Sequence, residues 1–187
     1  MPDPARSLPL DGFAAVSGKA VALAAAPPSA RFILRGRAAA IEAASGPLDT
    51  SLPRIACRAV TAGRRAALWL GPDEFLLLAP EADGPALAAA LASALAGLAH
   101  ALVDVGHRQG GFFVTGPQAA TVLNAGCPLD FDPAAFPIGM CTRTVLAKSD
   151  ITLWRTGAEA FRVEAGRSFL PYAWRFLVEA AREFSPA

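Results

Sequence analysis

One segment of this chain occurs twice, as residues 68–75 (LWLGPDEF) and again as residues 153–161 (LWRTGAEAF). Each copy carries a Leu-Trp pair, a turn that contains Gly and Glu, and a Phe, and a helical pattern follows each copy. An internal repeat of this kind indicates two copies of one supersecondary unit that cover each other's apolar faces. The repeat therefore predicts a scaffold of two similar, tightly packed halves.

The composition predicts a well-filled core and no nucleic-acid or membrane-surface binding. The chain has 187 residues, of which 53% are hydrophobic, with a mean hydropathy of +0.38, and this length fits one compact body. The 17 basic and 16 acidic residues leave a formal net charge of +1, which creates no global field for polyanions. The apolar excess leaves some apolar surface for a partner.

Cysteine usage and the absence of a long apolar run favour a cytoplasmic protein. The three cysteines, Cys57, Cys127 and Cys141, form an odd set without CxxC spacing, which argues against a disulfide framework and a zinc knuckle. The apolar stretch 86–99 is too short to span a bilayer. We expect a reducing compartment.

The order of predicted elements defines the fold class. We predict an extended, proline-containing arm over 1–19 that can lie along a partner, a first unit over 20–100 and a second over 101–187, packed as one compact body. Each unit reads β-β-α-β-β-β-α, and most of its connections are too short for parallel crossovers, so the class is α+β with mainly antiparallel sheets flanked by helices.

Local patterns place particular elements within these units. The spacing of Leu87, Leu91, Leu95 and Leu98 predicts a helix whose leucines face a sheet. An alanine-rich helix is predicted to end at Ser45-Gly46-Pro47, and the third strand of the first unit is predicted over 54–59.

A search for chemistry finds no complete set of catalytic, cofactor-binding or metal-ligating residues. His107 follows Asp104, whose carboxylate could orient the imidazole for proton transfer. Residues three apart on a strand point to opposite faces, so a structural or interface role for this pair is favoured and the catalytic alternative stays open. Cys127 and Cys141 are interpreted as inert thiols because no base adjoins them.

Several strings of residues resemble the gamma subunit family of heterotetrameric sarcosine oxidase. They include 124–130 (NAGCPLD), 136–144 (FPIGMCTRT) and 153–155 (LWR), together with His107-Arg108, 71–74 (GPDE), Arg167-Ser168-Phe169, Tyr172 and Trp174. The resemblance covers roughly residues 65 to 183. These strings are longer and more specific than a short generic motif, although Gly106 stands where the family often has serine.

The resemblance implies a non-catalytic accessory subunit of a complex that demethylates sarcosine oxidatively to glycine. It implies alpha, beta and delta subunits as partners, chiefly alpha. FAD, FMN, NAD and tetrahydrofolate would be associated with the larger subunits, the metal with another small subunit, and no cofactor with this chain alone. The implied fold is similar to that of folate-binding aminomethyltransferases, which leaves an alternative: a free-standing folate-binding or one-carbon-transfer protein.

The second half carries the residue types that protein interfaces favour, namely Arg and aromatic side chains. The possible partner-interface residues are His107, Arg108, Arg143, Arg155, Arg167, Tyr172 and Trp174. For each, a core or solvated role remains the alternative. Leu76-Leu77-Leu78 in the first copy of the repeat is wholly apolar, whereas Arg162 and Glu164 are expected to be exposed, so the second half is the favoured partner face.

Overall fold

The computed structural model describes residues 8–184, which contain ten strands and four α-helices. The strands are Ala22–Ala25 (β1), Ser29–Gly36 (β2), Ala59–Ala62 (β3), Arg65–Gly71 (β4), Glu74–Pro80 (β5), His100–Asp104 (β6), Gln109–Thr115 (β7), Cys141–Leu146 (β8), Ser149–Gly157 (β9) and Ala160–Gly166 (β10). The helices are Ala38–Leu48 (α1), Gly84–Ala94 (α2), Ala119–Asn124 (α3) and Leu170–Ala180 (α4). Each half therefore follows the predicted order β-β-α-β-β-β-α. Over the same residues, no helix has the length and apolarity that a membrane crossing requires.

The strands form two five-stranded antiparallel sheets, which confirms the predicted fold class. The first sheet has the order β3-β4-β5-β2-β6, and the second has the order β8-β9-β10-β7-β1. The halves therefore exchange their first strands: β1 pairs with β7 of the second half, and β6 pairs with β2 of the first half. The unit boundary that we predicted between residues 100 and 101 does not separate the two sheets, because pairing across the halves decides where β1 and β6 lie.

Each sheet buries one face against its own helices. In the first sheet, Phe32 and Phe75 pack beneath α1 and α2, with Leu87, Leu91 and Leu95 of the predicted leucine stripe buried among them. In the second sheet, an equivalent core surrounds Phe112, Phe161 and Trp174. Each buried side chain of this size contributes about 1.5–3 kcal/mol.

The other faces of the two sheets meet each other. Leu68, Leu76 and Leu78 of the first sheet pack with Cys141 of the second sheet, and Trp154 borders this cluster. The same contact continues in the loops before β3 and β8, where Cys141 N donates to Cys57 O at 3.0 Å. The halves therefore share a third apolar cluster in addition to the exchanged strands.

The described part of the N-terminal segment packs on its own chain. Leu10 is 6% exposed within the second core, the guanidinium of Arg175 lies 5.0 Å from the centre of the Phe13 ring, and Val16 bridges to Leu23 of β1. Residues 8–19 therefore differ from the predicted arm that leaves the core, because their apolar side chains cover the second sheet. Residues 1–7 of that arm lie outside the described residues.

Two predicted boundaries in the first half were wrong. The third strand begins at Ala59, and residues 55–57 form a turn in which Cys57 has a positive φ of 57°. Helix α1 continues past the predicted stop at Ser45-Gly46-Pro47 and ends at Leu48. Leu48 is fully buried, and burial of this side chain outweighs the local preference of glycine and proline to end a helix.

The two repeated tryptophans occupy different positions of their hairpins. In the first hairpin Trp69 pairs with Phe75, but in the second Arg155 pairs with Phe161 and Trp154 pairs with Arg162. The second copy has one more residue between its Trp and Phe, and a shift of one residue turns a strand side chain to the opposite face. Trp69 consequently packs towards the helices, whereas Trp154 packs between the sheets.

Candidate functional site

His107 and Arg108 lie on an exposed turn that joins β6 to β7. The turn is held by backbone bonds from Arg108 N and Gln109 N to Val105 O, at 2.9 and 3.0 Å. Asp104 Oδ1 accepts the Gly106 N–H at 2.7 Å. The Asp104 carboxylate therefore caps the turn.

A second segment, 167–172, lies directly beside this turn and exposes Arg167, Ser168, Phe169 and Tyr172, whereas Leu170 is buried. Arg167 N donates to Arg108 O at 2.7 Å, which connects the end of β10 to the turn. Phe169 is 51% exposed and Tyr172 is 38% exposed, although both are large aromatic residues. Large exposed side chains of this kind are typical of interaction surfaces.

Together the turn and the segment form what we term the basic-aromatic surface, defined by His107, Arg108, Arg167, Phe169 and Tyr172. All of these residues except Tyr172 line an open groove of about 810 Å³, together with Leu8, Pro9 and Asp11. The arginine and aromatic content matches the chemistry that interface centres favour. Three of the seven residues that we predicted for a partner interface, His107, Arg108 and Arg167, line this groove, and Tyr172 is exposed next to the lining residue Pro171.

Arg155 does not belong to this surface, since only 6% of the residue is exposed. Its guanidinium donates to four backbone carbonyls, those of Phe131, Phe136, Gly157 and Ala158, at 2.6–3.3 Å. The interface prediction for Arg155 was wrong, because this side chain holds the loop before β8 and the turn after β9 in place.

Trp174 and Arg143 also lie away from the basic-aromatic surface. Trp174 is 3% exposed and packs edge to face on Phe112 with ring centres 5.5 Å apart, so the core alternative is correct. Arg143 is exposed on β8, and its guanidinium is paired with the Glu74 carboxylate of the first sheet. Arg143 therefore connects β8, an edge strand of the second sheet, to the start of β5 in the first sheet.

A charged cluster that the sequence did not predict lies between the sheets. Arg31 Nε of β2 and Arg162 Nε of β10 each donate to the Glu164 carboxylate at 2.7 Å, and Arg31 and Glu164 are 4% and 3% exposed. Burial acts to raise the pKa of Glu164, but the charges and hydrogen bonds of Arg162 and Arg31 outweigh burial and hold this pKa below its ordinary value. Glu164 is therefore buried and ionised, against the expectation that it is exposed.

Cys127 and Cys141 lack the environment of a nucleophile. Burial raises the pKa of the Cys141 thiol to about 12, and this thiol donates to Trp69 O at 3.6 Å. Burial also raises the pKa of Cys127, which contacts Thr144 Oγ1 at 3.7 Å. Both thiols are protonated at neutral pH, as the inert interpretation requires. Within residues 8–184, no group of His, Cys, Asp and Glu side chains is arranged to hold a metal ion.

Comparison with known sequences places the chain in one family. Residues 35–183 match the model of the family described as "Sarcosine oxidase, gamma subunit family". The chain belongs to this family. It is 37% identical to sarcosine oxidase subunit gamma of Arthrobacter sp over 139 residues, which cover 74% of this chain and 68% of that protein. It is 38% identical over 120 residues to the gamma subunit of Corynebacterium sp. (strain P-1), and the match spans 58% of that protein's length.

Solved structures agree with the family and with the fold. A chain of the heterotetrameric sarcosine oxidase from Corynebacterium sp. U-96 matches with a TM-score of 0.90, 31% identity and 97% coverage of both chains. The aminomethyltransferase T of the glycine cleavage system from Bartonella henselae matches with a TM-score of 0.64, at 14% identity and over 83% of this chain and 45% of that one. The second match shows the predicted aminomethyltransferase-like fold alone.

The sequence contains signals for two features that were not predicted from it, the buried pair of Arg31 and Glu164 and the exposed ring of Phe169. Arg31 directly precedes Phe32-Ile33-Leu34, and Glu164 stands between Val163 and Ala165, so each charge interrupts an apolar strand. Charges in such strands require partners, and a search for complementary charges in the two halves would have suggested the pair. Phe169 belongs to the family-like string Arg167-Ser168-Phe169 but was not selected.

Proposed function

We propose that this chain is a non-catalytic gamma subunit of a heterotetrameric sarcosine oxidase, and that it stabilises the complex by docking onto the large alpha subunit. The match over 97% of both chains to a chain of a solved sarcosine oxidase carries this proposal. The complete complex would also contain the beta and delta subunits and would convert sarcosine oxidatively to glycine.

The basic-aromatic surface is the part of the chain that we assign to this docking. It combines two exposed arginines, Arg108 and Arg167, with the exposed rings of Phe169 and Tyr172. Apolar rings bury area on association, and arginines add hydrogen bonds to carboxylates and carbonyls. A partner surface with apolar pockets and acidic side chains would complement it.

The buried Glu164 is not available as the carboxylate of a pterin site. A pterin site needs a carboxylate that is free to bind the ring in a pocket, but both oxygens of the buried Glu164 are bonded to Arg31 or Arg162. Membership of the gamma subunit family leads us to assign FAD, FMN, NAD and tetrahydrofolate to the larger subunits, and we assign no reaction step to residues of this chain.

Co-purification tests the proposal directly. We expect the tagged chain, co-expressed with the alpha, beta and delta subunits, to elute with them from a size-exclusion column and to carry no sarcosine turnover when isolated. The complex assembled without this chain should have a lower melting temperature. Elution of the chain alone, together with an oxidase of unchanged stability, would contradict the accessory role.

Variants locate the docking surface within that experiment. Arg108→Glu should weaken co-elution, because it reverses a charge at the centre of the basic-aromatic surface. Arg182→Glu is the matched control, since Arg182 is 74% exposed beyond α4 and pairs only with its neighbour Glu179 among the described residues. Equal effects of the two substitutions would show that overall charge, and not this surface, governs association.

Titration of the isolated chain with tetrahydrofolate separates the alternative function from the proposed one. The accessory role predicts no saturable binding when the other subunits are absent. Saturable binding by the isolated chain would favour a free-standing folate-binding protein, whose fold this chain shares.

A further inference from the structure

The exchanged strands β1 and β6 occupy equivalent edges of the two sheets, but their outer sides differ. Leu23 of β1 pairs with Val114 of β7, and Leu102 of β6 pairs with Leu34 of β2. Since β2 and β7 are the second strands of the two halves, Leu23 and Leu102 hold corresponding positions. The two edges can therefore be compared residue by residue.

The outer edge of β1 is covered by the chain itself. Leu23 N donates to Val16 O at 2.9 Å, and Val16 N donates to Leu23 O at 3.0 Å, in an antiparallel bridge. Leu23 is fully buried. The outer edge of β1 is therefore paired with Val16, an extended residue with a β-branched apolar side chain.

The outer edge of β6 has no such cover in the described chain. Val105 N donates to Arg31 O at 2.8 Å, and the alternation of an antiparallel ladder then directs the N–H and C=O groups of His100, Leu102 and Asp104 outward. Within residues 8–184, no backbone group from another segment bonds to the outward groups of Leu102. Four of the five residues of β6 are exposed, including Val103 at 51%.

The second half cannot cover this edge as the first half covers β1. Val16 lies on a separate extended segment that precedes β1, whereas β6 begins six positions after Ala94, the last residue of α2. Those positions form the turn that ends the helix. An exposed strand edge is a template for pairing with another chain, so a segment of a different molecule can cover it.

We propose that an extended segment of a partner subunit pairs antiparallel with the outer edge of β6 and adds a sixth strand to the first sheet. A β-branched apolar residue of this segment lies opposite Leu102, as Val16 lies opposite Leu23. This inference rests on the proposed role as a subunit of an oxidase complex and adds to it the mode of contact.

The charged side chains near the C-terminal end of β6 indicate which residue types would precede the paired residue in the partner segment. The chain leaves β6 at Asp104 and enters the turn with His107 and Arg108, and His107 borders both the groove beside Asp104 and the groove of the basic-aromatic surface. An antiparallel partner strand has its N-terminal side at this end. Acidic residues before the paired strand would therefore meet Arg108 and Arg167.

Hydrogen exchange of the wild-type complex tests the pairing without any substitution. We expect the amides of His100, Leu102 and Asp104 to exchange rapidly in the isolated chain and at least about tenfold more slowly in the co-purified complex. The amide of Leu23, which is already bonded, should change little. Co-purification without slower exchange at β6 would overturn this inference and leave the accessory function in place.

Leu102→Pro and Leu102→Ala form a matched pair for the backbone contact. Proline removes the outward N–H, which the first sheet does not use, whereas alanine removes the side chain and keeps the N–H. We expect Leu102→Pro to weaken association with the partner at least about tenfold more than Leu102→Ala does. Equal weakening by the two variants would overturn backbone pairing.

Two other outcomes have separate meanings. If the chain does not co-purify with the oxidase subunits, both the proposed function and this inference fail. If β6 becomes protected in the isolated chain as its concentration rises, a second copy of this chain is the occupant and the assignment to a partner subunit is wrong.

If Leu102→Pro does not fold, His100→Pro replaces it in the association measurement, because it also removes an outward N–H and retains Leu102.

Discussion

The hairpins β4–β5 and β9–β10 have the same backbone pairing but opposite chemistry on the faces that meet between the sheets. In the first hairpin this face carries Leu76 and Leu78, which are almost fully buried. In the second, the corresponding positions hold Arg162 and Glu164. One fold position therefore accepts either an apolar side chain or a buried charge, provided that the charge has partners.

The partners of Glu164 come from its own strand and from the other half. Arg31 reaches it from β2, while the residue that corresponds to Arg31 in the second half is Gly111. A Cβ atom at Gly111 would lie 2.6 Å from Glu164 Oε1, so glycine leaves the space that the carboxylate occupies. The difference between the hairpins shows how two similar halves become complementary to each other.

We expect the largest change in stability when Glu164 is replaced by leucine, the residue type that Leu78 supplies at the corresponding position of the first hairpin. Glu164→Leu leaves the guanidinium groups of Arg31 and Arg162 without their shared carboxylate in a buried place. We expect the free energy of unfolding to fall by about 3–5 kcal/mol, measured by urea denaturation.

Two further variants sharpen this result. Glu179→Leu, at an exposed pair with Arg182, should change the stability by no more than about 0.5 kcal/mol. Adding Arg31→Leu to Glu164→Leu should recover part of the loss, because one of the unpaired charges is then removed. If the Glu164→Leu protein is as stable as the wild type, the guanidinium groups of Arg31 and Arg162 do not need this carboxylate as a partner.

The pH dependence of stability gives a smaller, directional effect. The folded state holds the pKa of Glu164 below its unfolded-state value, so the ionised group stabilises the fold above that value and this contribution is lost as the pH falls through the folded-state pKa. We expect the unfolding free energy of the wild type to decline on acidification below about pH 4.5 more steeply than that of Glu164→Gln. Urea denaturation at stepped pH values measures both curves, and parallel curves would contradict the assignment.

The smallest effect is expected at Trp154, which borders the contact between the two faces. Its Nε1 is buried and has no hydrogen-bond partner within the described chain. Trp154→Phe removes this unsatisfied donor, and the gain offsets the apolar area lost with the indole, so the stability should change by no more than about 1 kcal/mol. A loss of more than about 2 kcal/mol in urea denaturation would indicate that the indole N–H is bonded after all.

Much of the fold follows from local patterns in the sequence. The leucine spacing in α2, the apolar strand β5 and the recurrence of the hairpin all predict elements that the structure contains, because periodicity reports which face of an element is buried. Three of the predicted interface residues, His107, Arg108 and Arg167, lie on two turns that a backbone bond from Arg167 N to Arg108 O joins, and Tyr172 follows in the first turn of α4. Arg155 and Trp174 failed because residue type alone does not distinguish an interface from a core.

The α+β class, the two-fold order of elements and the family are readable from residues 1–187 alone, since hydrophobic periodicity and family-specific strings are local. The exchange of β1 and β6, the opposite orientations of Trp69 and Trp154 and the pairing of Arg31 with Glu164 are properties of the folded molecule. They depend on contacts between residues far apart in the chain, and a displacement of one residue along a strand reverses the face that its side chain joins. The repeated Leu-Trp motif thus marks two equivalent hairpins whose tryptophans are not equivalent.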